Sequence, residues 1–193
     1  MQYDKRNRTL LFLVSTGALV LYAAASAFAQ DTHRHEGGGN QGCDSYEADV
    51  SMDLALLGGD RTELTAGNRP DAVPRIQVAE GYTVTLVPQE EMTFSADPTR
   101  HMLAEGSFAG LMSFEAPVAG SYRISVSAGS WVDVVADGEP LESTDFSGRH
   151  VCEALRKWVS YDLEPGRTYT LMLTGASERA LGAAVVPASH RAM

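Results

Sequence analysis

The sequence lacks every complete motif that announces a common enzyme chemistry. It contains no Gly-x-Ser-x-Gly nucleophile elbow, no glycine-rich phosphate loop and no dinucleotide-binding fingerprint. It also lacks a cluster of basic residues, and the formal net charge of the 193 residues is −10. An acidic surface repels nucleic-acid phosphates and anionic lipid. These absences exclude nucleic-acid binding and leave function to be argued from compartment, fold and scattered side chains.

Long uncharged stretches are equally scarce, and the one near the N-terminus is typical of an export signal. The first nine residues carry three positive charges and one negative, whereas residues 10–25 carry none. Ala27-Phe28-Ala29 then offers small residues at the two positions that signal peptidase reads, so we predict a signal peptide over residues 1–29. An uncleaved anchor helix is disfavoured, because the apolar run is shorter than the roughly 20 residues that span a membrane. We expect a periplasmic or secreted protein, with no membrane insertion after signal removal.

Cysteine is nearly absent, since Cys43 and Cys152 are the only two. Both lie in the mature part, whose formal net charge becomes about −12 once the signal peptide is removed. Because export leads to an oxidising compartment, we predict a disulfide between them. A bridge that closes a loop of roughly 110 residues stabilises a fold by about 4 kcal/mol in the chain-entropy model. The alternative is a reactive thiol or a metal ligand, but neither cysteine has a histidine or a second cysteine beside it at ligand spacing.

The mature chain divides into a short tail and one domain. Residues 30–42 are polar and glycine-rich without periodicity, so we predict a flexible tail. Residues 43–188 suffice for a single domain. From Ser45 to Leu57 apolar residues recur at helical spacing, and Gly58-Gly59 ends the pattern. We therefore predict one helix there.

After residue 75, short strand-like segments alternate with turn residues. Tyr122, Ile124 and Val126 alternate with polar residues, which is the period of two that marks a half-buried strand. Further strands are predicted around the apolar segments 78–86, 92–94, 108–114, 131–135, 159–163, 169–173 and 181–186. Seven or eight strands at intervals of about ten residues are typical of a β-sandwich or jelly roll. The prediction is an all-β fold with one short N-terminal helix.

Two groups of residues are weak candidates for metal binding. His33 and His35 could hold a transition metal from the tail. His101 and Glu105 are four residues apart, and with His150 they offer two histidines and a carboxylate, a ligand set of non-haem iron. The alternatives are a solvated tail and a chance trio, because any chain with five histidines offers some such combination. On these residues alone we expect no cofactor, with iron as the alternative.

Aromatic and basic residues form a candidate binding platform. Trp158 is out of phase with Val159, so it points to the opposite face of its strand. Arg156 and Lys157 precede it, and Trp131 lies on another predicted strand. Together they could bind a sugar or peptide through stacking and cation–π contacts. The alternative, which we favour, is that the N-terminal helix covers Trp158. The acidic residues beyond Trp131 lack the calcium-loop pattern and predict a solvated edge; they are Asp133, Asp137, Glu142 and Asp145.

Four segments of the sequence together carry a resemblance to known proteins. They are Gly106-Ser107-Phe108-Ala109-Gly110, Gly120-Ser121-Tyr122-Arg123-Ile124-Ser125, Trp131-Val132-Asp133-Val134-Val135, and Cys152 through Leu155-Arg156-Lys157 to Leu163 and Gly166. From about residue 75 onward the chain resembles a group of small exported bacterial proteins, typical of alphaproteobacteria, that often bear the label homogentisate 1,2-dioxygenase. The resemblance implies an exported β-sandwich. Its label would imply an iron held by two histidines and a glutamate, for which His101, Glu105 and His150 are the counterpart here, at a spacing unlike that enzyme's motif.

The leading hypothesis is a non-enzymatic exported β-sandwich that binds an unknown small molecule or protein. It rests on the strand pattern, the acidic composition and the absent motifs. Two alternatives stay open. One is an iron-dependent, homogentisate 1,2-dioxygenase-like enzyme that uses His101, Glu105 and His150. The other is a metal-carrying accessory protein that uses His33 and His35.

Overall fold

Two β-sheets packed face to face form the body of the protein. The computed structural model describes residues 42–100 and 105–188. The helical elements are two 3₁₀ turns, Cys43–Ser45 and Gln89–Glu91, and the α-helix α1 (Ser51–Gly58). The strands are β1 (Thr62–Thr65), β2 (Gly81–Thr85), β3 (Val87–Pro88), β4 (Phe108–Glu115), β5 (Gly120–Val126), β6 (Trp131–Ala136), β7 (Glu139–Pro140), β8 (Asp145–Gly148), β9 (Lys157–Leu163), β10 (Thr168–Ala176) and β11 (Ala180–Pro187). The predicted all-β sandwich with one short helix is confirmed.

The two sheets are built from mainly antiparallel pairs. The first sheet has the strand order β1-β2-β11-β5-β9-β8, and the second has the order β3-β4-β10-β6-β7. Of the strand pairs in the described ranges, only β1–β2 at the edge of the first sheet is parallel. The short strands β1, β3, β7 and β8 were not predicted, and they are the four edge strands of the two sheets. Because they are edge strands, they mark where each of the two sheets ends.

The main core lies between the sheets and follows the predicted alternation. Tyr122, Ile124 and Val126 of β5 are buried in it, whereas Arg123 and Ser125 point to the opposite face of the sheet. Both faces of the first sheet are therefore covered, one by the second sheet and one by the N-terminal segment. Among the described residues, no helix is both long and apolar enough to cross a membrane.

The N-terminal segment is fastened to the outer face of the first sheet. Cys43 and Cys152 form the predicted disulfide, with a sequence separation of 109 residues. The Tyr46 hydroxyl donates a hydrogen bond of 2.9 Å to the Leu155 carbonyl. These anchors, with Val50, bury an apolar cluster that includes Trp158. The segment thus contributes a second, smaller core.

The predicted helix over Ser45–Leu57 is correct in place and wrong in extent. The α-helix begins at Ser51, whose backbone N–H donates to the Asp49 carboxylate over 3.0 Å. Tyr46 is buried at helical spacing, but the disulfide at Cys43 and the bond from Tyr46 to the sheet hold this stretch against β-structure before the helix starts. Apolar spacing alone did not distinguish anchored coil from helix.

A buried ion pair holds α1 on the sheet. Asp53 of α1 is completely buried, and its carboxylate accepts hydrogen bonds from Arg123 Nη2 at 2.5 Å and from the Ser125 hydroxyl. Arg123 Nη2 also donates to the Asp49 carbonyl at 2.9 Å, and its guanidinium lies over the Trp158 ring at 5.7 Å. Burial raises the pKa of Asp53, an effect opposed by the Ser125 hydrogen bond and the Arg123 charge.

The outer face of the second sheet is covered by the chain between β3 and β4. Met92 and Phe94 pack there with Leu111, Val135 and Met172. The predicted strand at residues 92–94 is wrong, because this stretch is irregular and uses its apolar side chains to cover a sheet without adding a strand to it. The same segment carries Thr99 to the start of β6. The predicted signal peptide and residues 30–41 of the predicted tail lie outside the described residues.

Candidate functional site

A groove opens where the sandwich fails to close completely. The two-residue strand β7 pairs only with Val135 and Ala136, at the end of β6. The start of β6 faces β8 and β9 of the other sheet across a gap. The gap contains two adjoining chambers of about 410 Å³ and about 400 Å³. Trp131, Phe146 and Lys157 line both chambers, so the two form one groove. Each volume lies within the roughly 300–1,000 Å³ of small-molecule sites.

Apolar side chains form the walls of the first chamber. Phe146 of β8 is paired with Val159 of β9, so the two side chains share the inward face of the first sheet. Leu141, which follows β7, contributes to the facing wall. Phe146 lies on β8, an edge strand of the first sheet, and is 72% exposed. Large exposed aromatic side chains are costly to solubility, and beside a concave surface they are typical of binding sites.

Lys157 is the cationic centre of the groove. Its ammonium group lies 5.0 Å from the centre of the Trp131 ring, within range of a cation–π contact. No hydrogen bond or ion pair of Lys157 occurs within the described part of the chain. Burial lowers the pKa of Lys157, and the charge of Asp133 opposes that shift. The sequence has one other lysine, Lys5, so Lys157 is the sole lysine after the predicted cleavage point.

Asp133 is buried and not part of a solvated acidic edge. Only 3% of it is exposed, and its carboxylate accepts hydrogen bonds from the Thr99 hydroxyl, from the Thr99 backbone N–H at 3.3 Å and from the Trp131 indole N–H at 3.1 Å. The prediction of a solvated edge is wrong for this residue, because the covering segment brings Thr99 over it. Asp133 therefore fixes the orientation of Trp131.

Tyr161 closes the floor of the first chamber. Its hydroxyl donates a hydrogen bond of 3.0 Å to the Val132 carbonyl across the two sheets. Burial, with the nearby charge of Asp133, raises the pKa of Tyr161 well above its ordinary value. The hydroxyl thus remains protonated at neutral pH. It joins β9 to β6 and holds the width of the groove.

The second chamber carries further polar groups. Arg156 Nη2 lies 2.8 Å from His150 Nε2, and because a guanidinium only donates, this ring nitrogen accepts. Ser130 is 8% exposed, and its hydroxyl has no hydrogen-bond partner among the described residues. Buried hydroxyls are normally paired, so an unpaired one in a chamber wall marks a position where a ligand atom can bind.

The structure separates the residues of the predicted platform. Trp131, Arg156 and Lys157 line the groove. Trp158 is 5% exposed and lies on the other face of the first sheet, under the N-terminal segment. The favoured alternative for Trp158, that the N-terminal helix region covers it, agrees with this placement.

The residues of the predicted metal sites are only partly within the described structure. His150 lies in the groove, where Arg156 occupies its Nε2 atom, and Glu105 is exposed at the start of the second described range. His33, His35 and His101 lie outside the described residues. Within residues 42–100 and 105–188, no three His, Cys, Asp or Glu side chains cluster so as to hold a metal ion.

The groove residues that sequence reasoning missed include Phe146, Thr99, Ser130 and Tyr161. A signal existed only for Phe146, which is a large apolar residue among the polar residues of a short segment, Asp145–Gly148. Thr99 and Tyr161 contribute through hydrogen bonds to residues 34 and 29 positions away in sequence. Ser130 contributes a hydroxyl that has no hydrogen-bond partner among the described residues. No known family model matches the chain, and no curated protein shows significant similarity to it.

Proposed function

We propose that the mature chain is an exported, non-catalytic module that binds a small molecule in the groove between β6 and β8–β9. The observation that carries the proposal is the exposed ring of Phe146 facing Trp131 and Lys157 across a concave, mainly apolar space. The predicted signal peptide and a disulfide suited to an oxidising compartment support a periplasmic or secreted location.

Binding fits the groove better than catalysis does, because the Asp133 carboxylate and the Tyr161 hydroxyl are already engaged. The Asp133 carboxylate accepts bonds from Thr99 and Trp131, so it is not a free general base. The Tyr161 hydroxyl is committed to the Val132 carbonyl. These interactions hold the groove open and rigid, which lowers the entropic cost of binding a ligand.

A neutral, environment-sensitive dye tests the proposal without assuming the charge of the ligand. We expect Nile red to bind the mature, disulfide-intact protein saturably at one site per chain, with increased fluorescence. Phe146→Ser should weaken that binding at least tenfold. Val118→Ser is the matched control, since Val118 is 64% exposed and belongs to the turn before β5, outside the groove. Absence of saturable binding, or equal losses in the two variants, would overturn the proposal.

The iron-dependent dioxygenase suggested by the resemblance remains a separate prediction. Metal analysis of the mature protein, purified without chelators, tests it. One equivalent of iron that is lost in His150→Ala would favour the dioxygenase over a binding module. Copper or zinc that is lost on removing residues 30–41 would instead favour the accessory role of His33 and His35.

A further inference from the structure

The two chambers of the groove differ in chemistry, and this difference narrows the class of ligand. The inference rests on the proposed function. The first chamber has apolar walls of Phe146, Leu141 and Val159, and charged side chains of both signs also line it: Arg100, Lys157, Asp133 and Glu142. The second chamber is bounded by Lys157, Arg156 and Ser130, which offer hydrogen-bond donors. A ligand that occupies both chambers therefore meets apolar walls with balanced charges in the first and only basic charges in the second.

The charges around the groove favour a negative group at the polar end. Lys157 and Arg156 line the second chamber, and no acidic side chain does. The acids of the first chamber are Asp133, whose carboxylate is already hydrogen-bonded, and Glu142, which is exposed. Lys157 lacks a hydrogen-bonded counter-ion among the described residues, in a mature chain of net charge about −12. A partly buried ammonium group without a partner gains most from a ligand that brings the missing negative charge.

The Ser130 hydroxyl is an independent indication of the same position. It is more than nine-tenths buried, and it lines the chamber that holds Lys157 and Arg156. Within residues 42–100 and 105–188 it has no hydrogen-bond partner. A carboxylate has two oxygens and about four acceptor positions, so it can bond to an ammonium group and a hydroxyl together. The three donors thus suit one carboxylate.

We infer that the groove binds an amphipathic monocarboxylate, with its aromatic or acyl body against Phe146 and Trp131 and its carboxylate at Lys157, Arg156 and Ser130. The cation–π contact with Trp131 holds the Lys157 ammonium at the junction of the chambers. A ligand of this class would span the junction, with its charge on one side and its apolar part on the other.

Three probes of equal length and different charge test the inference: 4-phenylbutyrate, 4-phenyl-1-butanol and 4-phenylbutylamine. Titration calorimetry on the mature protein should give an affinity for the carboxylate at least tenfold above that for the alcohol, and the weakest binding for the amine. Equal affinity for carboxylate and alcohol would overturn the inference. If neither binds, the inference also fails, and the Nile red experiment decides separately whether the groove is a binding site at all.

Variants locate the charge recognition. Lys157→Met keeps the length of the side chain and should weaken 4-phenylbutyrate binding by about 10- to 100-fold, with little change for the alcohol. Ser130→Ala should weaken carboxylate binding by roughly threefold to tenfold while leaving the fold intact. Arg179→Met removes a positive charge in the turn before β11, away from the groove, and should leave every affinity unchanged. An equal loss in Lys157→Met and Arg179→Met would show a general charge effect and contradict the assigned position.

Discussion

Replacing Asp53 by alanine should remove much of the stability of the protein, although Asp53 lies on a one-helix segment outside the main core. Asp53 is completely buried, and its carboxylate is bonded to Arg123 and Ser125. Without it, the Arg123 guanidinium keeps only the Asp49 carbonyl and the Trp158 ring as partners in a buried site. The substitution therefore leaves the charge of Arg123 buried without its carboxylate partner, which destabilises the folded state.

The expected loss follows from the cost of such charges. Breaking a buried ion pair by removing one partner destabilises proteins by about 3–5 kcal/mol. A domain of this size has a total free energy of unfolding of roughly 5–15 kcal/mol. Replacing both partners together, Asp53→Leu with Arg123→Met, removes the stranded charge and should restore stability to near or above that of the wild type.

Urea denaturation at pH 7, followed by circular dichroism, measures these differences through the unfolding midpoint and slope. Asp71→Ala is the control, because Asp71 pairs with Arg69 on the surface, where their side chains are 72% and 58% exposed. Such a pair contributes about 0–1 kcal/mol. If Asp53→Ala cost no more than the control, or if the double replacement were as unstable as the single one, the reasoning about the ion pair would be refuted.

Three other predictions concern the disulfide, a close contact in the core and the groove. Replacing Cys43 and Cys152 by serine should lower the free energy of unfolding by about 2–5 kcal/mol in urea denaturation, and an unchanged midpoint would contradict the anchoring role of the bridge. Gly110→Ala should cost about 1–3 kcal/mol in urea denaturation, because its added Cβ would lie 2.4 Å from the Ala66 Cβ. Gly129→Ala is the control and should be nearly neutral, because its added Cβ would meet nothing within 4 Å; an equal cost in the two variants would contradict the close contact. Lys157→Met should raise the free energy of unfolding at pH 7, because burial in the folded state lowers the pKa of this amine below 10.5. The charged amine therefore destabilises the folded protein at neutral pH. This destabilisation fades as the pH rises from the lowered pKa to 10.5. A variant that is less stable than the wild type at pH 7, or an advantage that grows at pH 10, would contradict that sign.

Local sequence patterns predicted the parts of the fold that depend on neighbouring residues. The alternation of Tyr122, Ile124 and Val126 identified β5, because a strand buries every second side chain wherever it lies in the sandwich. The Cys43–Cys152 bridge could be predicted because an oxidising compartment and two cysteines leave one intramolecular pairing. The start of α1 could not, since it is set by bonds from residues 43–46 to a loop more than 100 residues away.

The groove depends on how the sheet edges meet, which the sequence does not show locally. The sequence placed Trp131, Lys157 and Trp158 together in one candidate binding platform. Trp158, however, lies on the other face of the sheet. Asp133 resembles a surface acid in sequence and is buried only because Thr99 lies over it. Phe146 faces the groove because β8 is an edge strand, a property of the assembled sheet.

The measurement that most directly tests the groove as a binding site is a two-dimensional ¹⁵N–¹H nuclear magnetic resonance titration of the mature, disulfide-intact protein with 4-phenyl-1-butanol. The alcohol carries no charge, so the outcome does not depend on the inferred carboxylate. We predict saturable shift changes centred on the Trp131 indole N–H and on the backbone amides of Phe146 and Lys157. Saturable changes centred elsewhere, or none up to the solubility limit of the alcohol, would contradict the proposed binding site.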